Sequence, residues 1–467
     1  MSLGDPPRGF SQAKRSNGGR SGGVARIAQI GLTGAIVFAV LSFGGTEPVS
    51  FSFVQVLLLG LAVPILATHR SELWGNLSPP VAVPLVLVLI VLLQVVPIPG
   101  LLVELVWGAA GPASDSLSTI SIVPYATLAH LLQLLTYLTV FYLTIVVCRR
   151  PNGKKHLILV LLGLGAFEAL YGMVQYLTGW QQIFTFVKKY NLESATGTYI
   201  NGNHFAGLLE MVLPFALALV FYYSSMLRQA QLQGPARLRN ILSHQELQKL
   251  IFCLFLAVIL FVSLIFSRSR MGIMSAFLST VFILVLLATS AKQRKAGLLI
   301  GGAFLAAGIW IASWIGPGPV IARFEHLEGE YSVPGQGRLA IWQDTSRLIG
   351  RHPWVGSGLG TFPVEYTSEQ TAFLALFVNH AHNDFLEILS ELGLVGGTLL
   401  FGSIFYLLVR AIRCFFARAR EDFGRFTALG CTGSLVAILL HSLTDFNLYI
   451  PANAMVLAVV LGLAWLM

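Results

Sequence analysis

The stretch LIFCLFLAVILFVSLIF (Leu250–Phe266) runs through the four residues SRSR (Ser267–Arg270) directly into MGIMSAFLSTVFILVLLAT (Met271–Thr289). Each apolar block is close to the length of helix, about 20 residues, that crosses ~30 Å of hydrocarbon. Neither block shows the alternation of a strand or the polar stripe of a helix lying on a soluble core. Two membrane spans joined by a tight basic turn are therefore predicted. Working outward, similar blocks recur at Val54–Ala67, Val81–Val96 and Leu157–Tyr171. Apolar spans are marked near 28–44, 51–67, 81–98, 126–147, 157–178, 204–225, 250–266, 271–290, 296–316, 385–409, 426–444 and 453–467. The composition agrees: 55% of residues are apolar and 11% charged, against roughly 25% charged in a soluble domain. The expected fold is all-α, a polytopic integral membrane protein with about 12 transmembrane helices.

A net charge of +9 raises the question of nucleic acid, and its distribution excludes that partner class. With the N-terminus inside, the inner segments 1–27, 68–80, 148–156, 226–249, 291–295 and 410–425 carry 22 of the 30 Lys and Arg residues. Such a bias follows the positive-inside rule and places both termini in the cytoplasm. Residues 1–26, rich in Gly, Ser and Arg, read as a disordered cytoplasmic tail. The remainder, 27–467, reads as a single membrane domain, its first span a retained signal-anchor. None of Cys148, Cys253, Cys414 and Cys431 falls in an outer segment and no CxxC pair occurs, which argues against structural disulfides and zinc sites.

The longest outer segment, 317–384, lies between spans nine and ten and is expected to be a periplasmic loop. Within it, Gly337–Gly350 predicts a helix with Leu339, Trp342, Ser346 and Ile349 on one mostly apolar face that suits the membrane surface. Gly356–Gly360 follows as a turn. The segment 99–125 is mildly apolar, as a re-entrant or interfacial loop would be, and 179–203 is rich in Lys, Tyr, Asn and Thr.

Several residues in this topology call for chemistry. An Arg held mid-membrane costs about 2.5–3.5 kcal/mol, so Arg268 and Arg270 belong at the outer boundary or in a wet cavity. Arg338 stands at a helix start, where the backbone dipole favours anions over cations; a bound anion would remove the conflict. His380-Ala-His382-Asn383-Asp384 precedes span ten. There His380, Asp384, Glu387 and Glu391 recur at steps of four, three and four, as one polar stripe down a helix. A histidine in such a place can take a proton near neutral pH. Metal binding is the competing use of the cluster. On a helix, however, an HxH pair points its rings to different faces, and HEXXH is absent. The first outer loop, Gly45–Ser50, carries one Glu. No metal is expected. Gly356–Gly360 lacks the following Lys of a nucleotide loop.

The residues His382-Asn383, nine residues, Gly393, two residues and Gly396 resemble the HN-x9-G-xx-G signature of bacterial O-antigen ligases. The wider pattern runs through Arg338–Trp342, His352–Phe362, His380–Asn383 and Glu391–Gly396. It is similar to the domain shared by O-antigen ligases, O-antigen polymerases and bacterial protein O-oligosaccharyltransferases. Ser269-Arg270 before a span, and Thr196–Asn203, resemble further parts of it, so the likeness covers roughly 195–400. Arg268 departs from the family pattern, where a small residue is more common.

The resemblance implies a metal-independent, inverting glycosyltransferase of the bacterial inner membrane, with its site facing the periplasm and no cofactor. The implied donor is a glycan on undecaprenyl diphosphate, and the implied acceptor a sugar hydroxyl of lipid A-core for a ligase or of a growing glycan for a polymerase. The residues suit this chemistry. Arg270 and Arg338 are candidates to hold the diphosphate, and His382 is the candidate base. Asp384 or Glu387 would orient it. Arg268, His380, Asn383 and Asn203 are supporting candidates. Apolar grooves among the helices would hold the polyprenyl tail. A transporter of the same lipid-linked glycans is the reading of another class; it would normally show repeat symmetry and helices broken at the midplane, and neither is evident in the sequence.

Overall fold

A computed structural model describes residues 10–68, 79–107, 117–150, 152–232, 245–289, 337–371, 377–419 and 422–467, with positions 302 and 306 between them. Fourteen α-helices are found among these residues. They are α1 (Phe10–Leu41), α2 (Pro48–Thr68), α3 (Pro79–Val95), α4 (Gly100–Trp107), α5 (Pro124–Cys148), α6 (Gly153–Thr178) and α7 (Gly202–Leu232). The second half adds α8 (Gln245–Phe266), α9 (Arg270–Thr289), α10 (Arg338–Arg351), α11 (Phe362–Glu369), α12 (Asp384–Ala417), α13 (Phe423–His441) and α14 (Pro451–Trp465). Two short antiparallel pairs, Ile98–Pro99 with Leu117–Ser118 and Gln182–Ile183 with Phe186–Val187, decorate the loops.

Nine of the described helices are long and apolar enough to cross a membrane, and Ala82–Val95 and Pro451–Trp465 are shorter apolar helices. The protein is an all-α polytopic membrane protein, with helices at eleven of the expected spans; the span at 296–316 lies outside the described residues apart from 302 and 306. Helix α1 starts at Phe10, inside the stretch expected to be a disordered tail. Once a packed span nucleates a helix, each further residue adds a hydrogen bond at little cost.

The centre of the bundle is α7, whose membrane window Gly202–Gln229 is 94% buried. It packs against α8, α9 and α13, while α14 packs on α5 and α12 packs on α13. Small residues permit the close approach: a methyl group at Gly430 of α13 would sit 2.5 Å from the Phe215 ring of α7. Without a hydrophobic drive between helices in lipid, such tight contacts carry the association.

Helix α12 breaks at Gly393, at φ 65° and ψ −174°, a region open essentially to glycine alone. The break frees backbone groups within an apolar helix, where they need partners. The 353–358 segment supplies them. Leu394 N–H donates to Pro353 O at 2.7 Å and Val395 N–H to Trp354 O at 3.1 Å. In return Ser357 N–H donates to Ser390 O at 3.0 Å and Gly358 N–H to Glu391 O at 3.1 Å. Gln94 of α3 joins them, donating to Val355 O and Glu391 O. The expected turn is present, with Gly356, Gly358 and Gly360 all at positive φ.

The helix expected in this segment is also present, as α10. Its packed face consists of Ile341, Asp344, Thr345 and Leu348. Leu339 is exposed and Trp342 and Ile349 are half-buried, so the apolar face noted in the sequence is turned outward.

Candidate active site

Three separate chain segments converge at the ends of α7, α8 and α12. The first is the approach to α7. Buried Glu168 of α6 accepts from Thr198 N–H at 2.8 Å and from the Thr198 hydroxyl at 2.7 Å, which fixes the loop. Asn201 then accepts from Asn203 N–H at 2.9 Å and starts the helix. The second is the Ser267–Arg270 turn. Phe266 O accepts from Ala195 N–H at 2.9 Å, tying this turn to the first loop, and Ser269 Oγ accepts from Gly272 N–H at the start of α9. Arg268 sits at φ 55° and pairs with Glu193 at 2.7 Å. The third is the start of α12, where the Asn383 side chain caps the helix by accepting from Phe385 and Leu386 N–H.

Between them lies a cavity of about 600 Å³, lined by Asn191, Asn201, Gly202, Asn203, Ser267–Met271, Arg338, His382, His441 and Asp445. Of the sequence candidates, Asn203, Arg268, Arg270, Arg338 and His382 meet here. Among the described residues lining it, three guanidinium groups stand against one carboxylate, that of Asp445; even with Arg268 paired to Glu193, the cavity is suited to an anion. Arg338 Nη1 donates to Thr444 O at 2.6 Å, which steadies one edge of the fork beside the cavity.

His382 stands at φ 51°, ahead of the helix rather than on it. Its side chain is 34% exposed, and Nδ1 lies 3.8 Å from Oδ1 of the buried Asp445. That distance exceeds a hydrogen bond and is of the kind that shortens when a substrate closes a site. A proton on Nδ1 facing the carboxylate leaves Nε2 as the acceptor nitrogen. Burial alone would push the Asp445 carboxyl up. The contact with His382 and the charges of His204, His441 and Arg338 outweigh it and hold the group below the usual carboxylate range.

The stripe Asp384, Glu387 and Glu391 is present and fully buried, with one correction. His380 precedes α12 and joins the stripe by reaching back, its Nδ1 2.7 Å from Glu387 Oε1. Glu387 also accepts from Ala381 N–H at 2.7 Å. Asp384 accepts from the Ser442 hydroxyl at 2.7 Å, and Glu391 from the Tyr449 hydroxyl at 2.6 Å. These carboxylates are committed to holding the loops, and neither Asp384 nor Glu387 lines the cavity. The carboxylate facing His382 is Asp445, which the sequence reading missed. Both histidines pack on Phe446: His380 stacks at 4.0 Å and His382 meets it edge-on at 5.0 Å. Burial pushes the His380 imidazole down to about 4, against the pull of Glu391 and Asp445.

Residues 255–401 match the O-antigen ligase family model. The match spans 147 of the 467 residues and supports a likeness of that segment to O-antigen ligases and polymerases. The matched segment holds Arg268, Arg270, Arg338, His380, His382, Asn383, Asp384 and Glu387; Asn203, His441 and Asp445 fall outside it. No curated protein matches the chain.

Missed residues carried a signal. Glu168, Glu210 and His441 are ionisable groups within apolar spans, and such groups default to a functional hypothesis. His441 and Asp445 stand four apart, as groups on one helix face do.

Proposed function

We propose that this protein transfers a glycan from undecaprenyl diphosphate to a sugar hydroxyl at the periplasmic face of the inner membrane, as an O-antigen ligase acting on lipid A-core. The observation that carries the reading is the convergence of Arg270, Arg338 and the His382–Asp445 pair on one cavity. His382 Nε2 removes the acceptor proton as the acceptor oxygen attacks the anomeric carbon. The bond from that carbon to the phosphate oxygen breaks, and the diphosphate leaves with the electron pair. Arg270 and Arg338 stabilise the charge it gains, most effectively in a site shielded from water. Attack opposite the departing group inverts the anomeric carbon. No metal is needed when guanidinium groups carry this charge. An apolar cavity of about 470 Å³ among α3, α5, α12 and α14 offers a bed for the polyprenyl chain.

The test is purified protein incubated in EDTA with a lipid diphosphate-linked glycan and lipid A-core. One new band of glycosylated lipid A-core is expected. A ladder of lengthened glycans in its place would identify a polymerase. Folded protein that transfers to neither acceptor would sink the enzyme reading and leave transport.

A further inference from the structure

Beside Asp445 stand two more buried ionisable groups, His441 at the cavity wall and Glu210 behind it. His441 closes α13 and Glu210 lies in α7; both side chains are fully buried. His441 Nδ1 is 3.0 Å from both carboxylate oxygens of Glu210. His441 Nε2 is 3.8 Å from Asp445 Oδ2. The imidazole is thus placed between two buried carboxylates, one at each ring nitrogen. The Nδ1 contact is a hydrogen bond, whereas the Nε2 distance exceeds one, so a charged ring acts on Asp445 through its charge alone. Glu210 does not line the cavity and has no reach to a substrate.

We propose that Glu210 and His441 form a buried ion pair whose imidazolium weakens the hold of Asp445 on a proton at His382, making Glu210 a positioning residue for that base. Its role in turnover rests on the transferase reading above; the ion pair itself does not. A carboxylate as fully buried as that of Glu210 stays ionised only with a cation paired to it. The groups facing Asp445 are His204 and Glu210 from α7, Arg270 from the α8–α9 turn and Arg338 from α10. His380 and His382 face it from the segment before α12, Asp384 and Glu387 from α12, and His441 from α13. Asp384 and Glu387 are engaged by Ser442, Ala381 and His380.

The sign follows from the charge. A cation beside the His382–Asp445 pair helps it release its proton. Without the cation the pair keeps that proton to higher pH, and the acid limb of the pH–rate profile moves up. Loss of the more distant Glu210 charge offsets this in part, leaving a shift of about one pH unit.

Two readouts test the proposal in purified full-length protein, both across pH, for wild type, Glu210→Gln and His441→Gln. One is modification of His382 by diethyl pyrocarbonate, resolved from His380 by fragment mass spectrometry; the other is glycan transfer. His382 is accessible to the reagent while His441 is buried. Both variants are expected to raise the His382 modification midpoint by about one unit, with the acid limb of transfer moving alongside. Because they remove the pair from opposite ends, either one that folds suffices. A wild-type midpoint in folded Glu210→Gln overturns the ion pair: a protonated Glu210 donating to neutral His441 is mimicked by Gln. Modification needs no turnover, so a shifted midpoint in a protein without transferase activity keeps the pair and rejects the proposed function.

Discussion

Replacing Asp445 by Asn removes one charge and almost no volume. The amide oxygen can still accept from Phe446 N–H, as Asp445 Oδ1 does at 2.9 Å, so the turn after α13 is retained. What is lost is the charge 3.8 Å from His382 Nδ1. At an effective dielectric of ~20, two unit charges at that distance interact by about 4 kcal/mol. His382 is about a third exposed, and solvent screening brings this to about 2 kcal/mol. At 1.36 kcal/mol per decade that is a ~30-fold loss in stabilising the imidazolium formed as the acceptor is deprotonated. The variant also loses control of the tautomer, so a fall of about 10²-fold in single-turnover transfer is expected, inside the ~10²–10⁴ range of a general base. The assay is transfer from lipid diphosphate-linked glycan, with expression, elution volume and donor binding followed in parallel. An Asp445→Asn protein that transfers at the wild-type rate refutes the pairing with His382. One that has lost its fold shows instead that Asp445 is a structural group.

Arg338→Lys keeps the charge but loses the fork and its anchor on Thr444 O, so donor KM should rise about tenfold with a smaller effect on kcat; equal kinetics would remove Arg338 from the diphosphate. Gly393→Ala places a methyl 2.3 Å from the Trp354 carbonyl carbon in a glycine-only conformation, and should cost about 3 kcal/mol or more in thermal unfolding. For His380, with its imidazole held down to about 4, the unfolded chain binds the proton first as pH falls. Stability from this group is therefore complete above pH ~6.5 and declines by about 3 kcal/mol on the way to pH ~4; a His380→Gln variant should flatten the melting-temperature profile across that window. Ser368, exposed after α11 begins, should label from outside whole cells as Ser368→Cys with an impermeant maleimide, and Arg413→Cys only after permeabilisation; the opposite pattern would invert the membrane orientation.

The bundle was legible because lipid imposes length and polarity on every span, and each block such as Leu250–Phe266 reports its own helix without reference to the others. The cavity was legible in part for a related reason. Arg268, Arg270 and Arg338 break the charge bias expected of an outer face, and His382 stands beside an apolar span, so each conflicts locally with its expected setting. Asp445 escaped because it conflicts with nothing nearby: it sits in a polar turn, and only packing of α13 against α7 and the start of α12 buries it. The break at Gly393 was hidden likewise. A glycine within an apolar run is compatible with an unbroken span, and the partner that repairs the break, Pro353–Gly358, lies some forty residues earlier in the chain.

The cavity draws its walls from both inside and outside residues 255–401, and this bears on how such a protein can be rearranged. A chimaera receiving that segment from a relative would import the guanidinium cluster and the histidine at position 382 together. It would keep the host's Asp445, His441 and Glu210 behind them. Drift in either part is then constrained by the other, and transplanted specificity should survive only when the 201–210 and 441–445 stretches travel with the segment.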